Sequence, residues 1–153
     1  MNAEKMSKIR EGIITPGKDQ KELLVLLEET QNKFGYLSEE LMTELANSMN
    51  MSLSDVYGVA TFYSFLSTKP QGRNVIRICK SLPCLLRDSE MIIKSVEQEL
   101  GINPGQTTRD GRFSFELTNC IGACDRAPAM LINNDVHGDL TAEKISQILK
   151  TYK

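Results

Sequence analysis

Apolar residues recur at helical spacing through the first half of the chain and switch to alternation in the second. Within residues 20–34, Leu23, Leu27, Thr30 and Phe34 share one helical face, and Gly35 follows as a C-terminal cap. Ser38 followed by Glu39 and Glu40 predicts a second helix, because a hydroxyl cap and early carboxylates both suit the exposed amides of a first turn. That helix should run to about Asn50. Ser52 with Asp55 three residues on predicts a third, opened by a capping box. Residues 1–68 therefore read as a helical N-terminal segment.

A break at residues 68–72 (TKPQG) separates this segment from a different kind of sequence. Residues 74–78 (NVIRI) have the β-branched alternation of a strand leading into Cys79. Ile92, Val96 and Leu100 repeat at helical spacing, and Gly101 ends the run with Pro104 shortly beyond. Phe113, Phe115 and Leu117 alternate with polar residues as a half-buried strand. Residues 129–132 form a short apolar strand after Pro128, and residues 133–139 read as a turn. Thr141 then caps a last helix with Ile145, Ile148, Leu149 and Tyr152 on one face. The fold class is α/β of the α+β kind: a helical bundle segment over 1–68, then a domain over 72–153 with a mixed sheet flanked by helices. Neither part shows an internal repeat or a low-complexity tract.

A chain of 153 residues suits one ordinary domain, or one small domain with an added helical segment. With 41% hydrophobic and 25% charged residues it has a globular composition. The formal charge is -2 and the basic residues are scattered, so no stripe of positive charge points to a nucleic-acid partner. Residues 1–10 are polar and charged with no apolar stretch behind them, and the longest apolar run covers only residues 23–27. Neither a secretory signal nor a membrane insertion is expected. The expected location is cytoplasmic, where thiols stay reduced and close cysteines more readily bind metal than form disulfides.

The four cysteines form two close pairs, Cys79-KSLP-Cys84 and Cys120-IGA-Cys124. Each pair can chelate. A [2Fe-2S] cluster needs two thiolates on each iron, which two such pairs supply without strain. Gly122 relieves crowding where backbone passes sulfur, and amides of such loops can donate hydrogen bonds to cluster sulfurs. Four-cysteine zinc sites more commonly use two-residue knuckles, and a thioredoxin-type catalytic pair would need Cys-x-x-Cys, which is absent. Spacing alone favours the cluster and leaves zinc open.

The stretches NCIGACDRAPAMLINNDVHGDLT and PGQTTRDGRFSFEL, with FGYLSEE and DVYGVATFYSF earlier, resemble the small iron-sulfur subunit of NADH:quinone oxidoreductase. The same family includes the equivalent subunits of NAD-dependent and electron-bifurcating hydrogenases, transhydrogenases and soluble NAD-dependent formate dehydrogenases. The resemblance covers residues 19–152, and the wording around TFYSFLSTKP is closer to the hydrogenase branch. It implies a thioredoxin-like domain over 72–153 binding one [2Fe-2S] cluster, with Cys79, Cys84, Cys120 and Cys124 as ligands. It also implies assembly with a flavoprotein that binds NAD(H) and FMN and with further iron-sulfur subunits. The chain would exchange single electrons with that FMN as part of an oxidoreductase, and would not be catalytic alone. Ile121 stands where the family usually has Leu, a neutral departure, and the KSLP segment varies among members. No GxGxxG loop or P-loop is present. A free-standing ferredoxin and a zinc adaptor are the alternatives.

Several other residues carry weaker signals. His137, the one histidine, sits in a polar turn and is not expected to ligate iron. Phe62, Tyr63 and Phe65 read first as packing between the two halves of the chain and second as a docking surface for the flavoprotein. Lys80 and Arg126 flank ligands and can either raise the potential of the centre or simply be solvated. Whether the bond before Pro128 is cis is not readable from sequence.

Overall fold

The computed structural model describes residues 22–152. The chain divides into two compact units, with the boundary between Pro70 and Gln71. Among the described residues, no helix is long and apolar enough to cross a membrane.

The first unit is helical. Helix α1 (Leu23–Phe34) ends on Gly35, whose left-handed conformation (φ 86°) lets its N–H donate to the Gln31 carbonyl. Positions 20 and 21 of the expected helix, and everything before them in the helical segment, lie outside the described residues. Helix α2 (Glu39–Met49) is capped by Ser38, which accepts from the Leu41 amide, and closes on Asn50 in the left-handed region. Helix α3 (Leu53–Phe62) is capped by Ser52, whose hydroxyl oxygen accepts from the Asp55 amide at 3.1 Å. The same hydroxyl donates to the Asp55 carboxylate at 2.7 Å. The short Asp side chain therefore closes on the cap hydroxyl, where a full capping box would reach the backbone N–H. Leu26, Leu27, Leu37, Leu45 and Val56 form the centre of this unit's core. Gln31 binds the segment after α3 at both ends of its amide, donating to the Phe65 carbonyl and accepting from the Ser67 amide.

Phe62, Tyr63 and Phe65 are 79%, 42% and 43% exposed. Val56 and Ala60, four residues apart, face the core, and Phe62 lies about 200° round the helix from Ala60. The backbone then turns extended at Tyr63 and leaves the helix.

The second unit is a five-stranded mixed sheet with helices on one face. Strand β1 (Asn74–Cys79) leads into a single turn, α4 (Leu82–Leu85), and then α5 (Ser89–Leu100). Strands β2 (Gln106–Thr107) and β3 (Phe113–Thr118) follow, then a 3-10 turn (Cys124–Arg126), β4 (Met130–Ile132), β5 (Asp135–His137) and α6 (Ala142–Thr151). The spatial order is β2-β3-β1-β4-β5; β1 pairs parallel with β3 and antiparallel with β4. Ile76, Ile78, Phe113, Phe115, Met130 and Ile132 bury one face against Ile92 and Val96 of α5 and Ile145 and Leu149 of α6. This α+β architecture is the one read from the sequence.

Three details differ from the expectation. Every residue of β1 is buried, and β3 is more than half buried, because both are interior strands of the sheet. The expected turn at 133–139 holds β5, joined to β4 through Asn133, which is left-handed at φ 53°. Asn133 supports the hairpin from the side, since its Oδ1 accepts from the Val75 amide and its own amide donates to the Val75 carbonyl. Tyr152, placed on the last helical face, packs half-buried against the core as expected, but as the C-cap of α6 rather than within it, with its hydroxyl donating to Asp135 of β5.

Phe115 is wholly buried at the centre of this core. Phe115→Ala should lower unfolding stability by about 3–5 kcal/mol. Urea denaturation followed by circular dichroism measures the loss, and a change under ~1 kcal/mol would place Phe115 outside the core that matters.

Candidate metal centre

The parallel register ends with Cys79 opposite Thr118, and the Lys80 amide extends the ladder to the Thr118 carbonyl at 2.9 Å. The chain then turns at Ser81, whose carbonyl accepts from the Cys84 and Leu85 amides, both at 3.0 Å. Pro83, in the first turn of α4, suits a position where no donor is needed. This brings Cys84 back beside Cys79. Both thiols are buried, packed with Ala127 and half-buried Ile121.

Burial disfavours the charged form of Cys79, but the Ser81 amide, the Cys84 thiol, the Ser81 hydroxyl and the Ile121 amide outweigh it, and its pKa is lowered. Cys84 moves the other way. Burial, the hydrogen bond to Cys79 and the charge on Cys79 push its thiol up to about 11. Within this pair Cys79 is the first to ionise and Cys84 keeps its proton.

Cys120 and Cys124 stand on the exposed loop between β3 and β4, with their sulfurs 3.8 Å apart. Gly122 adopts φ 82°, strained for any residue with a Cβ, and this aims its N–H at the Cys120 sulfur at 3.3 Å. The hydrogen bond to Cys120 and the Cys120 charge raise the Cys124 thiol; Cys79 also acts on it electrostatically, and Cys124 acts on Cys84. The two pairs thus share one electrostatic neighbourhood, although α5, β2 and β3 lie between them along the chain.

The second loop is held from below by the turn after β5. The Asp139 amide donates to the Arg126 carbonyl at 2.7 Å, and the Leu140 amide donates to the Pro128 carbonyl at 3.1 Å. A Cβ on Gly138 would lie 2.5 Å from the Arg126 Cβ and 2.9 Å from its carbonyl oxygen, so only glycine permits this approach. Sequence reasoning missed Gly138, because a glycine in a polar turn carries no mark of what lies against it. The Arg126–Asp139 ion pair above it, 3.6 Å and exposed on both sides, adds little. The Ala127–Pro128 peptide is cis.

The donor set fits a binuclear iron-sulfur centre. Four soft thiols come in two pairs, one buried and one exposed, with backbone amides turned toward sulfur in both. His137 is engaged elsewhere: its Nε2 meets the Tyr152 hydroxyl at 2.8 Å, and that hydroxyl donates to Asp135 at 2.8 Å. Burial and the Asp135 carboxylate push the Tyr152 phenol up to about 12. Arg112 donates to the carbonyls of Leu149 and Tyr152 and so holds the end of α6. Lys80 and Arg126 are exposed.

Residues 9–153 match the family model described as thioredoxin-like [2Fe-2S] ferredoxin. A subunit of the NADH-quinone oxidoreductase of Escherichia coli is 42% identical over 123 residues, covering 80% of this chain and 74% of that protein. The corresponding subunit from Pseudomonas aeruginosa is 38% identical over 122 residues, with the same coverage of 80% and 74%. Among solved structures, a chain of an NAD+-reducing [NiFe]-hydrogenase in the H2-reduced state superimposes with a TM-score of 0.74 over 92% of this chain, at 24% identity. This chain spans 22% of that hydrogenase chain, and the likeness is one of fold.

The thiols differ enough to be told apart in metal-free protein. At pH 8, alkylation by iodoacetamide should label exposed Cys120 ahead of buried Cys84, and Cys84 should react appreciably only as pH rises toward about 11. Peptide mass spectrometry over a time course measures the order. Cys84 labelled first at pH 8 would contradict the burial and proton assignment.

Proposed function

We propose, for a chain that belongs to the thioredoxin-like [2Fe-2S] ferredoxin family, that Cys79, Cys84, Cys120 and Cys124 ligate one cluster and that the protein is an electron-transfer subunit of an NAD(H)-linked oxidoreductase. The observation that carries the ligand assignment is the pairing of these thiols at one end of β1 and β3, with amides aimed at them from two loops.

A [2Fe-2S] cluster takes up and gives back one electron at a time. The residues of this chain hold and tune it. Cys79 and Cys84 anchor from the buried side and keep water away, and Cys120 and Cys124 leave an exposed edge across which a redox partner can approach. The amides of Ser81, Ile121 and Gly122 offset negative charge on sulfur.

The relatives are subunits of NADH-quinone oxidoreductase. On that basis the chain works with an NADH- and FMN-binding flavoprotein and with further iron-sulfur subunits, in the cytoplasm. The complex is of the NADH-quinone oxidoreductase kind or a soluble hydrogenase, transhydrogenase or formate dehydrogenase. Tyr57, Phe62, Tyr63 and Phe65 support assembly: such an exposed aromatic set is costly to leave in water and is typical of interface centres. NADH delivers two electrons as a hydride, and a flavin must divide the pair for a one-electron carrier. With no nucleotide loop of its own, the isolated chain is not catalytic. Residues 72–153 are the ferredoxin domain and residues 1–68 the assembly segment. A free-standing ferredoxin is the second reading, favoured by one fact: all four thiols and the whole sheet lie in the second unit.

Anaerobically purified protein should contain about two irons and two acid-labile sulfides, both in the full chain and in one beginning at Gln71. Serine at position 79, 84, 120 or 124 should reduce or abolish that content, because an alkoxide is a harder and poorer iron ligand than a thiolate. Stoichiometric zinc without sulfide would refute the cluster; full iron in all the serine variants would refute the ligand set.

NADH alone should not reduce the protein at a useful rate. Adding the FMN-loaded flavoprotein should permit reduction, and stripping its FMN should abolish it, as followed by visible absorbance under anaerobic conditions. Fast reduction of the isolated chain would reveal a nucleotide site in it, and no exchange with the flavoprotein would favour the free ferredoxin.

A further inference from the structure

The face of the sheet turned away from α5 and α6 is polar, yet buried at its centre. Ile76 and Ile78 of β1 enter the helix-covered core, so alternation puts Arg77 and Cys79 together on the other face. On β3 it puts Ser114, Glu116 and Thr118 there, and the register sets Arg77 beside Glu116 and Cys79 beside Thr118. Arg77 Nε lies 3.2 Å from Glu116 Oε2, and the two side chains are 8% and 28% exposed. At Nε this is a charge contact rather than an aligned hydrogen bond. Gln71 donates to the other carboxylate oxygen at 2.6 Å.

A guanidinium stays charged at every working pH, and burying one sacrifices hydration that an apolar side chain does not have to lose. Residue 77 needs no charge to complete the strand, since Ile76 and Ile78 do so on either side. Its charge lies two residues before Cys79 on the same face, about 7 Å along the strand. Water screens it less than it screens the more exposed Glu116.

We propose that Arg77 and Glu116 are an opposed pair of fixed charges that sets the reduction potential of the centre held at Cys79, Arg77 raising it and Glu116 lowering it. This rests on Cys79 being a cluster ligand. One-electron reduction adds one negative charge to the site and breaks no bond; Arg77 stabilises that charge and Glu116 opposes it. Arg77 has the larger effect because it is the more deeply buried.

The test is a mediated redox titration of the loaded full-length protein, with dithionite as the reductant and absorbance and electron paramagnetic resonance as readouts. Arg77→Gln should shift the midpoint to more negative potential, by about tenfold in the reduction equilibrium constant, ~59 mV for one electron. Glu116→Gln should shift it the opposite way by a smaller amount, and Arg77→Lys should stay near wild type. If Arg77→Gln fails to load, Glu116→Gln at the more exposed carboxylate decides, and an unchanged or more negative midpoint there overturns the proposal. A merely structural pair would leave the loaded potentials unmoved or move both variants in one direction, which also overturns it. Failure of the ligand assignment is distinguishable, because Cys79→Ser would then keep its iron and sulfide.

Discussion

The parallel pairing of β1 with β3 is the constraint on which the rest of the second unit depends. It runs without a break from Asn74–Phe113 to Cys79–Thr118, so both strands end at the same level. The first thiol pair therefore begins at the end of β1 and the loop carrying the second begins one residue past the end of β3. A slip of one residue would turn Ile76 and Ile78 out of the core and send Cys79 to the helix-covered face. Packing of the core and placement of the thiols are thus a single requirement. The helix-covered face supplies the energy: burying side chains such as Phe115 and Ile132 contributes roughly 1.5–3 kcal/mol each.

Much of this was legible in the sequence, for physical reasons that differ from element to element. Long amphipathic helices announce themselves by periodicity, and α1, α2, α5 and α6 lie where Leu23, Ser38, Val96 and Thr141 predict them. Caps were legible because Ser, Thr, Gly and Asn have few other reasons to stand at such boundaries. The shortest strand was not: β2 spans two residues, too few for any period to show. The edge strand β5 was hidden because Asp135, Val136 and His137 form one alternation between turn residues, and only pairing with β4 makes them a strand.

The pairing of the thiols was legible in the sequence and their asymmetry was not. Two cysteine pairs with short spacers announce a chelating centre. Nothing in the spacing says that Cys79 and Cys84 are buried while Cys120 and Cys124 are exposed. That difference comes from tertiary structure: the first pair ends an interior strand and folds back under Ala127, and the second rides a surface loop. The closeness of Gly138 to Arg126 is likewise a contact between segments distant in sequence, which no local pattern encodes.

This asymmetry explains how an electron-transfer site can be both stable and usable. A fully buried centre would resist solvent attack but put protein between itself and any partner; a fully exposed one would be open to partners and to water alike. With one pair buried, desolvation favours the less charged state of the site, which works against reduction, since reduction adds negative charge. Amide donors reduce that cost without adding net charge, and Gly122 and Ile121 provide them on the exposed loop, where a side-chain cation would be screened. Full charges act at longest range where water is excluded, and the row of buried Arg77 and half-buried Glu116 along the polar face of β1 and β3 is where this fold places them.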